Sequence, residues 1–570
     1  MSHLSSAEPA STAPRHYDSH NNSHGPPVDF HHVDNPMPHL LSEGENATPL
    51  EVIGSTATDK LVIIMVGLPA TGKTHIAKRI CRFLSFFHDI PAQIFNVGDY
   101  RRQLCGAQMP ADFYNPLNSE GSAARLMACD AALSDMMDYL RQDGVRVAAF
   151  DATNSTFERR SHVLHKLTEA KIGCKRMFLE SICDDDDLLE ENIRKVKLST
   201  PDYRDMEPEK AMADFKQRRE QYMSVYQPVS GKDGPHVKII NSKEFIVNNI
   251  RGYLPLKVVH FVMNLHTLPR TFYLTRHGQS EYNVLGKIGG DSGLSENGKE
   301  YARRLAKFAK DHIAMTDEIC PESGQSKERP ARLWTSTLRR TKETAHHIAH
   351  TPLMHTWDNG DSGEWVQFRP MARRNLDELY AGVCDGMTYK EIEQVFPEEF
   401  ARRQDDKLAY RYPRGETTIF QFPKMATANC NSFIVIFAIY CKLTHCCHLF
   451  YIGESYMDVT LRLEPVAQEM ERTREPVLIV AHQGILRILY AYFMGLDRKE
   501  APYVSIPLNY VIELTPHAYG CHEKRFCLMA KEEMENDGQD EPITSMPKKY
   551  PNSKDHVYSP SDPIMNAPSC

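Results

Sequence analysis

The stretch KLVIIMVGLPATGKTHIAKRICRFL, residues 60–84, decides the fold of the first half of the chain. Residues 61–66 are a continuous apolar run, which predicts a strand buried on both faces, as in a parallel sheet. A glycine-containing loop follows this strand, and a helical pattern begins at Thr74. A buried strand that leads through a loop into a helix is typical of α/β domains.

The loop within this stretch, GLPATGKT, fits the pattern G-x-x-x-x-G-K-[ST]. Its glycines allow several backbone N–H groups to face inward at a helix N-terminus, which creates an anion site. Lys73 can reach the β and γ phosphates of ATP, and the Thr74 hydroxyl can ligate Mg²⁺. The residues predicted to bind ATP are Gly67, Leu68, Pro69, Ala70, Thr71, Gly72, Lys73 and Thr74.

Further apolar strands alternate with helical segments along the chain. AQIFNV, VRVAAFDAT and CKRMFLESI extend the first pattern, and we predict a parallel α/β domain over residues 59–254. A second α/β domain, over residues 255–527, contains TFYLTRHG, ARLWTS and PVLIVAHQG. The polar residues 1–58 and 528–570 are predicted to be disordered tails.

Charged residues follow the predicted strands of the first domain. Asp151 ends the strand VRVAAFD, where a carboxylate beside a phosphate loop suits contact with a metal ion or a hydroxyl group. A helix cap is the alternative role for this aspartate. Arg101 and Arg102, like Arg159 and Arg160, form pairs just beyond strand ends. Such pairs favour a second, phosphorylated substrate over simple solvated charges.

A second candidate site lies at YLTRHGQS, residues 273–280. Arg276 and His277 stand at the carboxyl end of a predicted strand, and His482 follows another strand, PVLIV. Neutral imidazole is a nucleophile near pH 7, and phosphate esters require flanking cations such as Arg276 and Arg340. Glu378 is the candidate acid for the leaving alkoxide. It must hold its proton at the working pH, through burial or the charge of the substrate.

Composition narrows the classes of partner. The 570 residues carry a net charge of −8 without a long basic stripe, so nucleic acid is not an expected partner. The longest apolar run, around residues 433–441, is shorter than the roughly 18 residues of a membrane span, so no membrane partner is expected. The 14 cysteines have no regular framework, which indicates reduced thiols and a cytoplasmic protein.

The two sites, in this order, resemble the 6-phosphofructo-2-kinase/fructose-2,6-bisphosphatase family. The likeness runs from about residue 61 to about residue 514 and includes FNVGDYRR, FDATNST, VKLSTPDY, LDELYAGVCDGMTY and AHQGILR. The resemblance implies a P-loop kinase domain that moves the γ-phosphoryl group of ATP to the 2-hydroxyl of fructose 6-phosphate. It also implies a phosphoglycerate-mutase-like histidine phosphatase domain that hydrolyses fructose 2,6-bisphosphate through a phosphohistidine, and a homodimer.

The resemblance also implies roles for residues at matching positions. Those at ATP and Mg²⁺ are Lys73, Thr74 and Asp151, and those around the sugar phosphate are Arg101, Thr153, Lys175 and Tyr203. His277 matches the nucleophile and Glu378 the acid. The positions that bind the phosphoryl group are Arg276, Arg340 and His482. The positions that hold the bisphosphate are Asn283, Tyr389, Arg403, Lys407, Gln483 and Arg487.

The chain departs from the family pattern at four places. Thr71, Gln279 and Tyr380 replace residues that are usually arginine, glutamate and aspartate. Residues 416–453 interrupt the pattern between YPRGE and ESYMDVTLRLEP. This insertion is apolar, rich in cysteine and nearly without charge. We interpret it as retained intron sequence or a gene-model error rather than a zinc site.

Two alternatives to a bifunctional enzyme remain open at this point. The insertion and the change beside the proposed acid could impair the phosphatase half and leave an active kinase. A non-catalytic sugar-phosphate sensor would require lost catalytic residues, whereas the chain retains Lys73, Asp151, His277, Glu378 and His482. Because the insertion is apolar and β-prone, it also predicts aggregation, and its deletion is expected to improve solubility and phosphatase activity.

Overall fold

The computed structural model describes residues 60–194, 200–203, 206–265, 270–319, 326–357, 360–413, 453–517, 520–530 and 556–557. The tail predicted over residues 1–58 and nearly all of the insertion over residues 416–453 lie outside the described residues. Most of the tail predicted over residues 528–570 also lies outside them. The described residues therefore cover the two α/β halves.

The first half alternates strands with helices around one sheet. Its elements are β1 (Lys60–Val66), α1 (Lys73–His88), β2 (Ala92–Asn96), α2 (Val97–Cys105), α3 (Ser119–Arg141), β3 (Val147–Asp151), α4 (Phe157–Glu169), β4 (Cys174–Ile182), α5 (Asp186–Asn192), α6 (Pro208–Met223), β5 (His236–Ile240), β6 (Glu244–Asn248) and α7 (Tyr253–Val262). The strand order is β2-β3-β1-β4-β5-β6, with β1 to β5 parallel and β6 antiparallel at the edge.

Strand β1 lies in the middle of this sheet, and residues 61–66 are fully buried. Alternate side chains of the strand enter two different clusters of buried residues. Leu61 and Ile63 pack with residues of α1, whereas Val62 and Ile64 pack with residues of α3. Helices therefore cover both faces of the sheet, and the predicted parallel sheet with a buried first strand is confirmed.

The second half forms another α/β sheet. Its elements are β7 (Phe272–Arg276), α8 (Glu281–Val284), α9 (Glu296–Phe308), β8 (Met315–Ile319), β9 (Ser326–Glu328), β10 (Arg332–Thr335), α10 (Arg339–Ala345), β11 (Pro352–Thr356), β12 (Ser362–Val366), β13 (Pro370–Ala372), α11 (Tyr389–Val395), α12 (Pro397–Asp405), α13 (Tyr456–Arg472), β14 (Val477–Ala481), α14 (Gln483–Met494), β15 (Tyr510–His517), β16 (Gly520–Cys527) and β17 (His556–Val557). The strand order is β13-β10-β14-β7-β15-β16-β17. Strands β13, β10, β14 and β7 are parallel, and β15 is antiparallel to β7.

Helix α1 joins the two halves of the molecule. It packs against α13 and α14, where Phe87 meets the ring of Tyr492 with centroids 4.8 Å apart. Glu471, on α13, accepts hydrogen bonds from Arg79 on α1 and from Arg270. The Tyr492 hydroxyl donates to the same carboxylate at 3.0 Å. Because these groups are buried, the two halves share one core and one buried ion cluster.

The domain boundary predicted after residue 254 falls inside α7. This helix packs on α1, where Phe261 stacks on Phe83 with ring centroids 4.2 Å apart. Lys257 of the same helix donates to Glu464 on α13 at 3.1 Å, so α7 contacts both halves. No helix among the described residues has both the length and the apolar character needed to cross a membrane.

Candidate active sites

The loop between β1 and α1 is held in a curled backbone conformation. Gly67 has a φ of 140°, and a side chain there would meet the carbonyl oxygen of Ser181 at 2.3 Å, so glycine is required. The Gly67 N–H donates to the carbonyl of Thr153 at 3.0 Å. The Asn154 side chain donates to the carbonyl of Met65 at 2.7 Å. These bonds tie the loop to the end of β3, and the N-terminus of α1 faces the space between them.

A cavity of about 920 Å³ opens beside this loop. The predicted loop residues in its wall are Pro69, Ala70, Gly72, Lys73 and Thr74. Asp151 and Thr153 line the same cavity from the end of β3. The Lys73 ammonium group donates to the carbonyl of Leu68 at 2.6 Å and so lies across the loop. The structure thus brings the loop, the lysine and the predicted carboxylate together.

The groups present suit Mg²⁺ bound together with a nucleotide. The Thr74 hydroxyl and the Asp151 carboxylate offer the oxygen ligands that Mg²⁺ prefers. The Asn96 side chain donates to Asp151 at 2.6 Å and orients it. The described residues contain no group of three or more histidine, cysteine, aspartate or glutamate side chains that could hold a metal ion. Because Mg²⁺ usually keeps waters and phosphate oxygens as ligands, two protein groups suffice here.

One wall of the cavity is basic. Arg101 Nη2 lies 2.8 Å from each carboxylate oxygen of Asp202, and the Arg102 and Arg218 guanidinium groups lie 3.2 Å and 3.6 Å from that carboxylate. Burial alone would raise the pKa of Asp202, but the hydrogen bond from Arg101 and the charges of the three arginines hold it below its usual value. Three guanidinium groups against two carboxylates, those of Asp202 and Asp99, leave this wall positively charged, which suits a phosphate group. Tyr203 lines the same cavity.

Arg218 is a cavity residue that no sequence pattern singled out. It lies inside α6, and its guanidinium group is 3.9 Å from the centroid of the Tyr114 ring. Strand ends identify candidate residues in α/β sheets, and Arg218 follows no strand. The run QRRE that contains it is indistinguishable from a solvated helix face.

Lys175 does not join these residues. It lies at the start of β4 and pairs with Leu61, near the amino end of β1. The loop follows Val66 at the opposite end of β1, roughly 16 Å away at about 3.3 Å per residue. The prediction that Lys175 contacts the sugar phosphate is therefore wrong, because the amino ends of these parallel strands point away from the cavity.

The second site forms where β7 and β14 end side by side. Arg276 lies opposite Ala481 in this parallel pair, so His277 and His482 follow at the same edge of the sheet. Their ring centroids are 5.2 Å apart, and both imidazoles are buried. The structure thus brings together two histidines that are distant in the sequence.

The protonation of the two histidines follows from their surroundings. Burial lowers the pKa of both imidazoles well below the usual value, and the charges of Arg340 and Arg276 lower it further. His277 Nδ1 donates to the carbonyl of the next residue at 2.8 Å, which leaves Nε2 unprotonated and nucleophilic. His482 Nε2 lies 2.8 Å from the Ser336 hydroxyl. Its buried Nδ1 has no hydrogen-bond partner among the described residues and can donate to a phosphoryl oxygen when Ser336 donates to Nε2.

A pocket of about 410 Å³ opens beside His277. The predicted residues that line it are Arg276, His277, Asn283, Arg340, Glu378, Tyr389, Arg403, Lys407, Gln483 and Arg487. Among the described residues of this lining, seven cationic side chains accompany one carboxyl group, that of Glu378. A pocket of this charge suits an ester that carries two phosphate groups.

Glu378, the proposed acid, lines the pocket, and backbone N–H groups bind its carboxyl group. Its carboxyl group accepts from the N–H of Leu379 at 2.9 Å and from the N–H of Gly484 at 3.4 Å. A side chain on Gly484 would lie 2.7 Å from that carboxyl group, so glycine leaves the room that the acid occupies. Because Gly484 lies in the first turn of α14, which follows His482, the acid and the histidine pair lie at one end of this helix.

Comparisons with known proteins identify a domain around each site. Residues 50–269 match the family described as 6-phosphofructo-2-kinase. Residues 272–422 and 444–528 match the histidine phosphatase superfamily, branch 1. The unmatched residues 423–443 lie within the stretch interpreted as an insertion. The chain therefore contains both a kinase domain and a histidine phosphatase domain.

Curated relatives extend the match over most of the chain. The chain is 38% identical over 465 residues to 6-phosphofructo-2-kinase/fructose-2,6-bisphosphatase 3 of Rattus norvegicus, covering 81% of this chain and 70% of that protein. It is 40% identical over 466 residues to the fructose-2,6-bisphosphatase of Saccharomyces cerevisiae, covering 81% and 87%. It is 39% identical over 510 residues to an Arabidopsis thaliana 6-phosphofructo-2-kinase/fructose-2,6-bisphosphatase, covering 88% of this chain but 58% of that longer protein. The chain belongs to the 6-phosphofructo-2-kinase/fructose-2,6-bisphosphatase family.

Proposed function

We propose that the chain both makes and hydrolyses fructose 2,6-bisphosphate. The first domain would phosphorylate fructose 6-phosphate at its 2-hydroxyl with ATP, and the second would remove that phosphoryl group. The observation that carries the proposal is that one chain holds two separate anion sites. One is the loop cavity with Lys73, and the other is the pocket lined by His277, whose ring lies 5.2 Å from that of His482.

In the kinase reaction the cavity holds two anionic substrates side by side. The loop N–H groups and Lys73 bind the ATP phosphates, while Arg101, Arg102, Thr153 and Tyr203 bind fructose 6-phosphate. The sugar 2-hydroxyl loses its proton to solvent as its oxygen attacks the γ-phosphorus, the bond from that phosphorus to the β-γ bridging oxygen breaks, and ADP leaves. Mg²⁺ held by Thr74 and Asp151 would neutralise phosphate charge. The protein contributes position and charge rather than covalent chemistry.

In the phosphatase reaction His277 is the nucleophile. Its Nε2 attacks the 2-phosphoryl phosphorus, and the bond from phosphorus to the sugar 2-oxygen breaks as Glu378 gives its proton to that oxygen. Arg276, Arg340 and His482 hold the three remaining phosphoryl oxygens. Water then cleaves the phosphorus–nitrogen bond, and inorganic phosphate leaves. Asn283, Tyr389, Arg403, Lys407, Gln483 and Arg487 hold the rest of the bisphosphate.

Both activities should be measured on one purified preparation. Fructose 6-phosphate with γ-labelled ATP should yield labelled bisphosphate. Bisphosphate labelled at the 2-phosphoryl group should leave an acid-labile label on the protein, absent from His277→Ala. No labelled product would contradict the kinase assignment, and an equal label on His277→Ala would contradict the phosphohistidine.

The alternative of an impaired phosphatase is less well supported. Tyr380, which stands beside the proposed acid, is not among the described residues that line the pocket. Gln279 accepts a hydrogen bond from Ser295 at 2.8 Å within a buried network, so the change from glutamate leaves a satisfied amide. Relatives named as bifunctional enzymes also favour two activities over one.

We also propose that the protein is a cytoplasmic homodimer. Strand β6 ends the first sheet and exposes 49% of Ile246 and 45% of Val247, and an exposed edge strand with apolar side chains can pair with a second copy. The described cysteines are free, which fits a reducing compartment. Sedimentation of the wild type and of Ile246→Lys should give a dimer and a monomer. A monomeric wild type would contradict the homodimer.

A further inference from the structure

Two side chains hold the segment that carries Glu378. Thr337 donates to the carboxylate of Asp377, and a guanidinium group binds the backbone. Arg462, on α13, donates from Nη1 to the carbonyl of Asn375 at 2.6 Å. Its Nη2 donates to the carbonyl of Asp377 at 2.8 Å and lies 3.4 Å from the carbonyl of Glu378 itself. One side chain from a regular helix therefore anchors three backbone carbonyls of residues 375–378.

Glu454 completes this arrangement from the other side. Its carboxylate accepts from Arg462 Nε at 2.8 Å and from Nη2 at 2.9 Å. It also accepts from the N–H of Tyr380 at 3.2 Å, and the Glu454 N–H donates to the carbonyl of Tyr380 at 3.0 Å. The backbone is thus fixed both before and after Glu378 by one ion pair, which we call the acid clamp (Arg462 and Glu454).

The direction of the Glu378 carboxyl group depends on this backbone. The carboxyl group accepts the two hydrogen bonds described above from the backbone N–H groups of Leu379 and Gly484, and the longer bond is 3.4 Å. A general acid must lie within hydrogen-bond reach of the oxygen that it protonates, and a misplacement of about 1 Å can cost about 100-fold in rate. We infer that Arg462 and Glu454 are positioning residues for protonation of the leaving sugar oxygen. This inference rests on the acid role proposed for Glu378.

The acid clamp also adjoins Gly453, the last residue of the insertion. Glu454 directly follows Gly453, where the described chain resumes after residue 413. A side chain on Gly453 would meet the carbonyl oxygen of Tyr412 at 2.6 Å, so the chain segments on either side of residues 414–452 touch. Any displacement of Gly453 would reach Glu378 through Glu454 and Arg462. This contact gives a route by which the insertion can affect the phosphatase site alone.

The inference is tested by a double-mutant cycle in the full-length chain. The rate of His277 phosphorylation by labelled fructose 2,6-bisphosphate is measured in a single turnover for wild type, Arg462→Gln, Glu378→Gln and the double variant. Arg462→Gln should slow this step about 10- to 100-fold. If Arg462 acts through Glu378, the double variant should be within about threefold of Glu378→Gln alone. Losses that multiply, or an unchanged rate in Arg462→Gln, would overturn the inference.

A matched control comes from the neighbouring ion pair. Arg373 donates two 2.6 Å hydrogen bonds to Glu469 and so also links the stretch before residue 375 to α13. It does not bond to the carbonyls that Arg462 holds, so Arg373→Gln should change the rate by less than about threefold. An equal loss in this control would reveal a general packing effect and contradict a positioning role. An unchanged rate in Glu378→Gln would instead contradict the proposed acid.

Discussion

The kinase cavity and the phosphatase pocket offer a phosphate group different sets of side chains and backbone groups. The cavity, of about 920 Å³, uses a curled backbone loop and a basic wall. The pocket, of about 410 Å³, is lined by the buried imidazole of His277 among arginine side chains, and the buried ring of His482 lies 5.2 Å from that of His277. A site that only positions two anions needs fixed donors and charge. A site that forms a covalent bond to phosphorus also needs an unprotonated nucleophile, and burial beside cations supplies it.

The largest expected effect is that of His277→Ala, which should abolish one activity and leave the other. His277→Ala removes the nucleophile, so bisphosphate hydrolysis should fall about 10⁴-fold or more. Kinase activity in the same preparation should stay within about twofold, because His277 does not line the kinase cavity. Coupled assays of both activities check this. A parallel loss of kinase activity would mean that the pocket and the cavity are not separate sites.

The reciprocal change is Lys73→Met, which keeps the length of the side chain and removes its charge. Kinase activity should fall about 10³-fold, because the ammonium group no longer meets the phosphate charge that develops during transfer. The rate of His277 phosphorylation by the bisphosphate serves as the control and should not change. A kinase that retained a tenth of its activity would show that the loop N–H groups bind the phosphates without the lysine.

The two sites share one structural support, the buried Glu471 cluster between the halves. Burial alone would raise the pKa of Glu471, but Arg79 and Arg270 hold it below its usual value, so the group is charged. Glu471→Ala leaves two buried guanidinium groups without their carboxylate and should lower the free energy of unfolding by about 3–5 kcal/mol. Calorimetry should show one unfolding transition at a lowered temperature, and assays after heating should show that both activities are lost at that temperature.

The matched control for this change is the exposed pair of Glu300 and Arg303 on α9. Glu300→Ala should leave the unfolding temperature nearly unchanged, because exposed ion pairs contribute little to stability. If Glu471→Ala unfolded the two halves at separate temperatures, the shared core would not couple them.

Strand ends predicted the central residues of both sites from the sequence, and the family resemblance supplied most of the residues around them. Because parallel strands end at one edge of a sheet, Asp151 and the loop meet, and so do His277 and His482. Residues that lie inside helices, or that contact the other half of the molecule, were not predictable in this way. Arg218 lies within a polar helix, and the partners of Glu471 come from distant parts of the chain. The prediction for Lys175 failed because a matching motif does not say which end of its strand faces the cavity.

A smaller effect, on phosphatase activity and solubility, is expected when the insertion is deleted. Deletion of residues 416–453 places Gly415 directly before Glu454, where Gly453 stands now. Glu454 of the acid clamp would therefore still follow a glycine. Because Tyr412 and Gly453 are in contact, the short connection from Tyr412 to Glu454 can span the gap. Phosphatase activity should rise about two- to fivefold, and solubility should improve. Equal activity and solubility with and without these residues would contradict this expectation, and the unchanged kinase rate is its control.

The smallest expected effect is that of pH on phosphatase activity. It tests whether burial of His277 and His482 keeps their imidazoles neutral. The lowered pKa of His277 and His482 means that both imidazoles gain a proton only well below the ordinary value of about 6.5. An unburied histidine would lose about half of its neutral form at pH 6.5, whereas these two should stay neutral. The phosphatase kcat/KM, which reports the free enzyme, should therefore fall less than about 1.5-fold between pH 7.5 and pH 6.5. A half-maximal value at pH 6.5 would show that the pocket admits enough water to restore an ordinary imidazole.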